Sequence, residues 1–261
     1  MTAETEPTGW PPLRGIRAAA TFLTRVPVGG FPYAPADWRW ASAHFPLIGA
    51  AIGAAMAGVW FAAQPLGSTP AAVLALIASL VITGGFHEDG LADTADALGG
   101  GRDRAAILEI LKDSRIGAFG GLALASTLLL RGALLVELGA LAPVAMVAAQ
   151  CASRTPPIWL MALLPYATDE ARTKSRKINR AGAAQAAVAT AWAAVVLAAL
   201  VLRGWLAPAA AVALAGVAAV VAALCGWRFH RRVGGVTGDF LGATQQVAEA
   251  AILAAILVAS R

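Results

Sequence analysis

Residues 84–121 read GGFHEDGLADTADALGGGRDRAAILEILKDSRIGAFGG, an acidic stretch enclosed by apolar sequence on both sides. Seven of the chain's fifteen acidic residues lie in it: Glu88, Asp89, Asp93, Asp96, Asp103, Glu109 and Asp113. On a helix Asp89, Asp93 and Asp96 stand at i, i+4 and i+7 and share one face. Like charges at this spacing destabilise a helix by a few tenths of a kcal/mol per pair, and by more in a low dielectric, unless a cation sits between them. Folding gives no reason for such a face. After the break at Gly99, Gly100 and Gly101, a second helical pattern places Glu109 and Asp113 at i and i+4. Two short helices hinged by glycine are therefore expected to face two sets of carboxylates across a gap. Hard oxygen donors in this number suit Mg²⁺ or Mn²⁺, and Arg102, Arg104, Lys112 and Arg115 follow together, as a phosphate clamp needs. The ordinary reading of mixed charge between apolar runs is a solvated loop. The absence of any basic residue among the three aspartates weighs against it.

Outward from this stretch the chain is too apolar for an ordinary soluble domain: of 261 residues, 59% are hydrophobic and 13% charged, where about a quarter charged is usual. It reads as an all-α, polytopic membrane helical bundle forming a single domain over 1–261. About seven spans are expected, at 44–63, 70–86, 116–130, 135–150 (bent at Pro156 and Pro157 and continuing through 158–164), 183–202, 206–227 and 241–259, with short helices at one face carrying the acidic motif of 87–116. Residues 1–12 read as a disordered tail without signal-peptide features, and 13–40 as an interfacial segment with Tyr33, Trp38 and Trp40 at headgroup depth. Gly49 and Gly53 form a GxxxG that lets another helix approach closely. Cys151 and Cys225 lack metal or redox spacing and read as small buried residues.

The net charge of +5 does not indicate nucleic acid, because the basic residues sit in short clusters between apolar runs. That pattern fits loops facing anionic lipid. With the N-terminus inside, 17 of 20 Lys and Arg residues fall on the cytoplasmic side, leaving Arg131, Arg203 and Arg261 outside. The acidic stretch, the basic loop 166–180 and the segment 234–242 then share the cytoplasmic face. His87 stands at the mouth of the acidic helix, placed to position a phosphate or relay a proton. Arg154 lies at the inner membrane surface, where it snorkels to lipid phosphate or reaches into a site. Asp239 is expected as the N-cap of the last span, in a glycine-rich segment that brings backbone close to something; a carboxylate beside the membrane is also a functional candidate.

GGFHEDGLADTADALGG, LEILKDSRIGAFGGLAL and GGVTGDFLGAT together resemble the cobalamin synthases, the adenosylcobinamide-GDP ribazoletransferases. Weaker similarity covers most of the chain, including FLTRVPV, HFPLIGA and the pair Ser153-Arg154. The resemblance implies a cytoplasmic-membrane transferase that joins adenosylcobinamide-GDP to α-ribazole or its 5′-phosphate and releases GMP, with Mg²⁺. It further implies metal ligands at Asp89, Asp93, Asp96 and Asp113, catalytic roles for His87, Lys112 and Arg115, and substrate binding by Ser114, Arg154 and Asp239. The chain departs from the family pattern at Gln246, where an acidic residue is common; Glu249 is the nearby candidate to replace it. Two other classes fit parts of the pattern. A membrane prenyltransferase would repeat its aspartate motif on a distant helix, and no second copy is present. A cation-coupled transporter would carry single carboxylates near mid-membrane.

Overall fold

In the computed structural model, residues 10–30, 32–167 and 181–261 are described, and among them the chain is helical, with one isolated parallel bridge between Tyr166 and Val236. Residues 1–9 of the expected tail and most of the basic loop 166–180 lie outside the described residues, whereas Pro11 and Pro12, expected in the tail, instead open the first helix, where proline is pre-set for the first turn. Helix α1 (Pro11–Leu23) and helix α2 (Pro35–Ala41) pack on each other and are joined by an Arg14–Asp37 ion pair of 2.8 Å. Trp38 is buried against Tyr33 and does not stand free at headgroup depth. Helix α3 (Phe45–Ala63) follows, then α4 (Ser68–Thr83) and α5 (Phe86–Gly100), the last two bent by 92°. Gly84 and Gly85, at φ 73° and 68°, make that bend, in a backbone region that side chains other than glycine rarely adopt.

Helix α6 (Arg104–Ile110) ends before Asp113, so the second acidic pair expected on one helix is divided. Helix α7 (Ala118–Leu138) runs beyond the expected third span and takes in Arg131, which is 1% exposed. The placement of Arg131 in an outer loop is thus overturned: its charge is neutralised inside the bundle, so the helix has no need to stop there. A 3₁₀ turn at Gly139–Leu141 leads to α8 (Ala142–Ala152) and α9 (Thr155–Leu163), with Pro156 and Pro157 in the first turn of α9, where a missing N–H costs little. Arg131 on α7 and Gln150 on α8 both contact Glu249, so these helices fold back on each other as a hairpin. Helices α10 (Ala183–Leu202), α11 (Pro208–Val233) and α12 (Gly238–Ala259) complete the bundle. Among the described residues five helical runs are long and apolar enough to cross a membrane, with Ala118–Leu163 taken as one run, or six with the bent α4–α5 pair. The expected count of seven is not reached on this measure, although α10 has the bounds expected for the fifth span.

The GxxxG partner is α8. A Cβ on Gly49 would lie 2.1 Å from the Gln150 carbonyl oxygen, and one on Gly53 would lie 2.5 Å from that of Met146. In lipid, where apolar surface gives no net drive between helices, such close backbone approach supplies packing energy. Gly58, on the same helix, has nothing within 4 Å of its missing Cβ. Gly53→Val is therefore expected to destabilise the protein by about 1–3 kcal/mol or more, read as a lower thermal midpoint in detergent, while Gly58→Ala leaves the midpoint unchanged or higher. Equal midpoints for the two variants would refute this packing assignment.

Candidate active site

The acidic face forms on α5 as the spacing requires, but its partner is α12. Gly90 and Gly242 bring the two backbones together: a Cβ on Gly90 would meet the Asp239 carbonyl oxygen at 3.0 Å and Gly242 Cα at 3.3 Å. The N-cap of α12 is Thr237, whose side chain accepts from Phe240 N. Asp239 lies inside the helix, its carboxylate released from the capping role expected of it. The Asp93 carboxylate consequently feels the charges of Asp89, Asp239 and Asp96 together. Asp89 is exposed, Asp93 and Asp239 are half-buried, and among the described residues no basic side chain pairs with any of the three.

The fourth carboxylate of that field is engaged elsewhere. Asp96 accepts from Gly117 N at 2.7 Å and Gly120 N at 2.8 Å, satisfying two of the amides left open at the start of α7. Gly117 and Gly120 leave room for it, since a Cβ on either would lie within 2.4 Å of its oxygens. Asp113, in the loop after α6, is held by Arg115 through contacts of 2.6–3.1 Å. Those hydrogen bonds lower its carboxyl to about 2. Lys112, Ser114 and Arg115 are exposed on the same loop. Arg104, expected in a phosphate clamp, instead donates to the Val233 and Ala167 carbonyls at 2.9 Å and fastens α6 to the end of α11. Among the described residues no group of three or more His, Cys, Asp or Glu side chains is already drawn together as a metal site.

His87 is buried and shares a small pocket of about 60 Å³ with Arg154, Phe22, Phe45, Phe86 and Gln245. Arg154 is 2% exposed and donates to the carbonyl and the side-chain oxygen of Gln150, so it is turned inward and does not snorkel. Behind this pocket lies a polar cluster that the linear sequence did not indicate. Arg131 donates to Glu88 at 3.2 Å, to Gln246 at 2.7 Å and to Glu249. Gln246 in turn donates to Glu88 at 3.0 Å, while Gln150 and Gln245 both donate to Glu249 at 2.8 Å. Gln246 is thus a bridge between charges, and Glu249 supplies the carboxylate. The available signal was an arginine and a glutamate inside apolar runs, where an ionisable group requires a partner.

Residues 15–257 match the family model described as cobalamin-5-phosphate synthase. Among similar curated proteins, the adenosylcobinamide-GDP ribazoletransferase of Leptothrix cholodnii is 43% identical, covering 89% of this chain and 90% of that protein. Those of Polaromonas sp. and Azorhizobium caulinodans are 40% and 39% identical, covering 94% and 95% of this chain and 97% of each relative. No solved structure matches.

Removing Arg131 takes from the buried Glu88 and Glu249 the cation hydrogen-bonded to them, a change that typically costs about 3–5 kcal/mol. Arg131→Met is expected to lower the unfolding midpoint sharply, and Arg131→Met with Glu249→Gln to recover part of the loss. A double variant no more stable than the single one would show that the pair is not coupled. For Asp113 the folded value is depressed, so its contact with Arg115 is fully present above the ordinary carboxylate range and is lost as pH falls through about 2. Carboxyl ¹³C NMR at pH 4 is expected to find Asp113 ionised; a midpoint near 4 would contradict the contact.

Proposed function

The chain belongs to the cobalamin-5-phosphate synthase family, and on that premise we propose that it joins adenosylcobinamide-GDP to α-ribazole or its 5′-phosphate, releasing GMP, late in cobalamin nucleotide-loop assembly. The observation that supports this most directly is the meeting of Asp89, Asp93 and Asp239 where α5 touches α12, with no basic side chain among the described residues to neutralise them. The donor set is hard oxygen and suits Mg²⁺. Asp89, Asp93 and Asp239 would hold the ion; Asp96 and Asp113 already have strong partners and would serve as supports. Bound there, Mg²⁺ supplies neutralisation of the diphosphate charge.

In the transfer, a ribose hydroxyl oxygen of the acceptor forms a bond to the corrinoid-side phosphorus and gives up its proton. The phosphorus–oxygen bond of the diphosphate bridge breaks, and GMP leaves with the bridging oxygen. Asp93, half-buried among like charges, presents its carboxylate at this face. His87 and Arg154 line the small pocket on the other side of Phe86, which suits them to shape the site wall and not to touch the reacting atoms. The loop bearing Lys112, Ser114 and Arg115 is exposed and unconfined by packing, so it is proposed to meet substrate as it docks.

The protein is further proposed to lie in the cytoplasmic membrane with this face toward the cytoplasm. Most described basic residues outside the core lie near the helix ends that carry the site, whereas Arg203 and Arg261 lie at opposite ends of their helices. Lipid is then a constant partner. Purified protein is expected to release GMP in step with joined corrinoid only when both substrates are present; full-rate GMP release without acceptor would indicate a hydrolase. Asp93→Asn is expected to reduce turnover by about 100-fold or more and to leave stability without Mg²⁺ equal or higher, because a like charge is gone. Asp96→Ala is expected to lower stability by about 1 kcal/mol through loss of the α7 cap. Near-normal turnover and unchanged Mg²⁺ dependence in Asp93→Asn would reject the carboxylate assignment.

A further inference from the structure

The acidic face needs a cationic partner for a phosphate, and most of the arginines around it already have protein partners. Arg115 is bound to Asp113, Arg104 and Arg232 hold backbone carbonyls, Arg154 is tied to Gln150, and Arg131 is locked in the buried cluster. Arg25 differs from all of these. It follows α1, is exposed, and its backbone N–H donates to the Ile82 carbonyl at 2.8 Å, which fixes the main chain beside the α4–α5 bend. Its guanidinium lies across the bare backbone of Gly84: a Cβ there would be 2.1 Å from Nε and 2.7 Å from Nη2. Among the described residues it forms no ion pair or side-chain hydrogen bond. Together with Asp89, Glu88, Thr24, Gly84 and Gly85 it lines an open pocket of about 620 Å³. One wall of this pocket therefore carries an unpaired guanidinium and, beside it, the first carboxylate of the acidic face.

We propose that Arg25 binds a phosphate group of the substrate in this pocket, its planar fork of donors taking phosphoryl oxygens on the side away from Asp89. The chemistry fits both charges: a phosphate that shares a cation with Asp89 has further oxygens to present, and a guanidinium meets two of them at once. The glycine at 84 serves the bend through its positive φ and also leaves the surface over which Arg25 lies. The inference rests on the proposed reaction for the identity of the phosphate, which is either the diphosphate of adenosylcobinamide-GDP or the 5′-phosphate of the acceptor.

The test uses the full chain in lipid nanodiscs, as wild type, Arg25→Gln, Arg25→Ala and Arg25→Lys, with unfolding midpoints to confirm that each variant is folded. Equilibrium binding of inorganic diphosphate with Mg²⁺, which requires no turnover, is expected to weaken about 10- to 100-fold in Arg25→Gln and Arg25→Ala and to be partly restored in Arg25→Lys. In turnover, a raised KM for adenosylcobinamide-GDP with an unchanged KM for α-ribazole assigns Arg25 to the diphosphate. A rise confined to α-ribazole 5′-phosphate, absent with α-ribazole, assigns it to the acceptor. Folded Arg25→Gln and Arg25→Ala with wild-type binding and both KM values unchanged would overturn the proposal. So would an effect seen only in anionic and not in zwitterionic nanodiscs, which would make Arg25 a lipid-headgroup contact. A wild-type protein that binds diphosphate through Arg25 but forms no joined corrinoid would reject the proposed reaction and leave the phosphate site standing.

Discussion

An arginine inside an apolar bundle must be neutralised where it stands, and the architecture around the site follows from how Arg131 meets that requirement. An ion taken out of water costs several kcal/mol even after relaxation, and only a close opposite charge with further hydrogen bonds offsets it. Arg131 sits on α7, Glu88 on α5, Gln150 on α8, and Gln246 and Glu249 on α12, so one cation ties four helices together. Gln150 and Gln246 donate to the same oxygens that the guanidinium contacts, Oε1 of Glu249 and Oε1 of Glu88, while Gln245 donates to Oε2 of Glu249 at 2.8 Å. Glu88 immediately precedes Asp89. Its bond to Arg131 therefore sets the rotation of α5 about its axis and turns the aspartates away from the core.

Glycine sets the distances. Where Gly49 and Gly53 meet α8, backbones approach closer than a side chain would allow, and where Gly90 meets Gly242 they are close enough that a side chain would have to push the neighbour aside. The first contact holds α3 in the bundle. The second creates the site, because the same approach that packs α5 on α12 draws Asp239 beside Asp93. At the edge of this contact Gly84 and Gly85 turn the chain through 92° with two successive left-handed residues, which ends the apolar helix α4 and starts the acidic helix α5 without an intervening loop. Stability and chemistry thus share residues: the close contacts in this part of the bundle also decide which carboxylates are neighbours.

The charged groups near the site divide by what they bind. Asp96, Arg104 and Arg232 have protein partners that fasten α5, α6 and their loops to the start of α7 and the end of α11, while Asp113 and Arg115 pair within their own loop. Asp89, Asp93 and Asp239 have no basic partner among the described residues. In a folded protein, buried or crowded charge is normally compensated. The combined charge of these three carboxylates is what the proposed Mg²⁺ would neutralise.

How much of this the chain disclosed in one dimension depended on the range of the signal. Apolar composition, the helical period and the i, i+4, i+7 spacing of Asp89, Asp93 and Asp96 are local properties, and they determined the all-α membrane class, the α10 boundaries, the helix break beside the double proline and the existence of an acidic face. The GxxxG at Gly49 and Gly53 likewise announced a close helix contact, but not that α8 would fill it. What the sequence left open was every choice between partners far apart in the chain. Asp96 looked identical to Asp93 until the amides of Gly117 and Gly120 were found against it, and Asp239 looked like a cap until Thr237 took that role. Arg131 interrupted an apolar run in the manner of a loop residue. Only when α5, α7, α8 and α12 were brought together did Glu88 and Glu249 supply the opposite charge that lets it remain in the interior, because the cost of a buried ion is met by neighbours in space and not by neighbours in sequence.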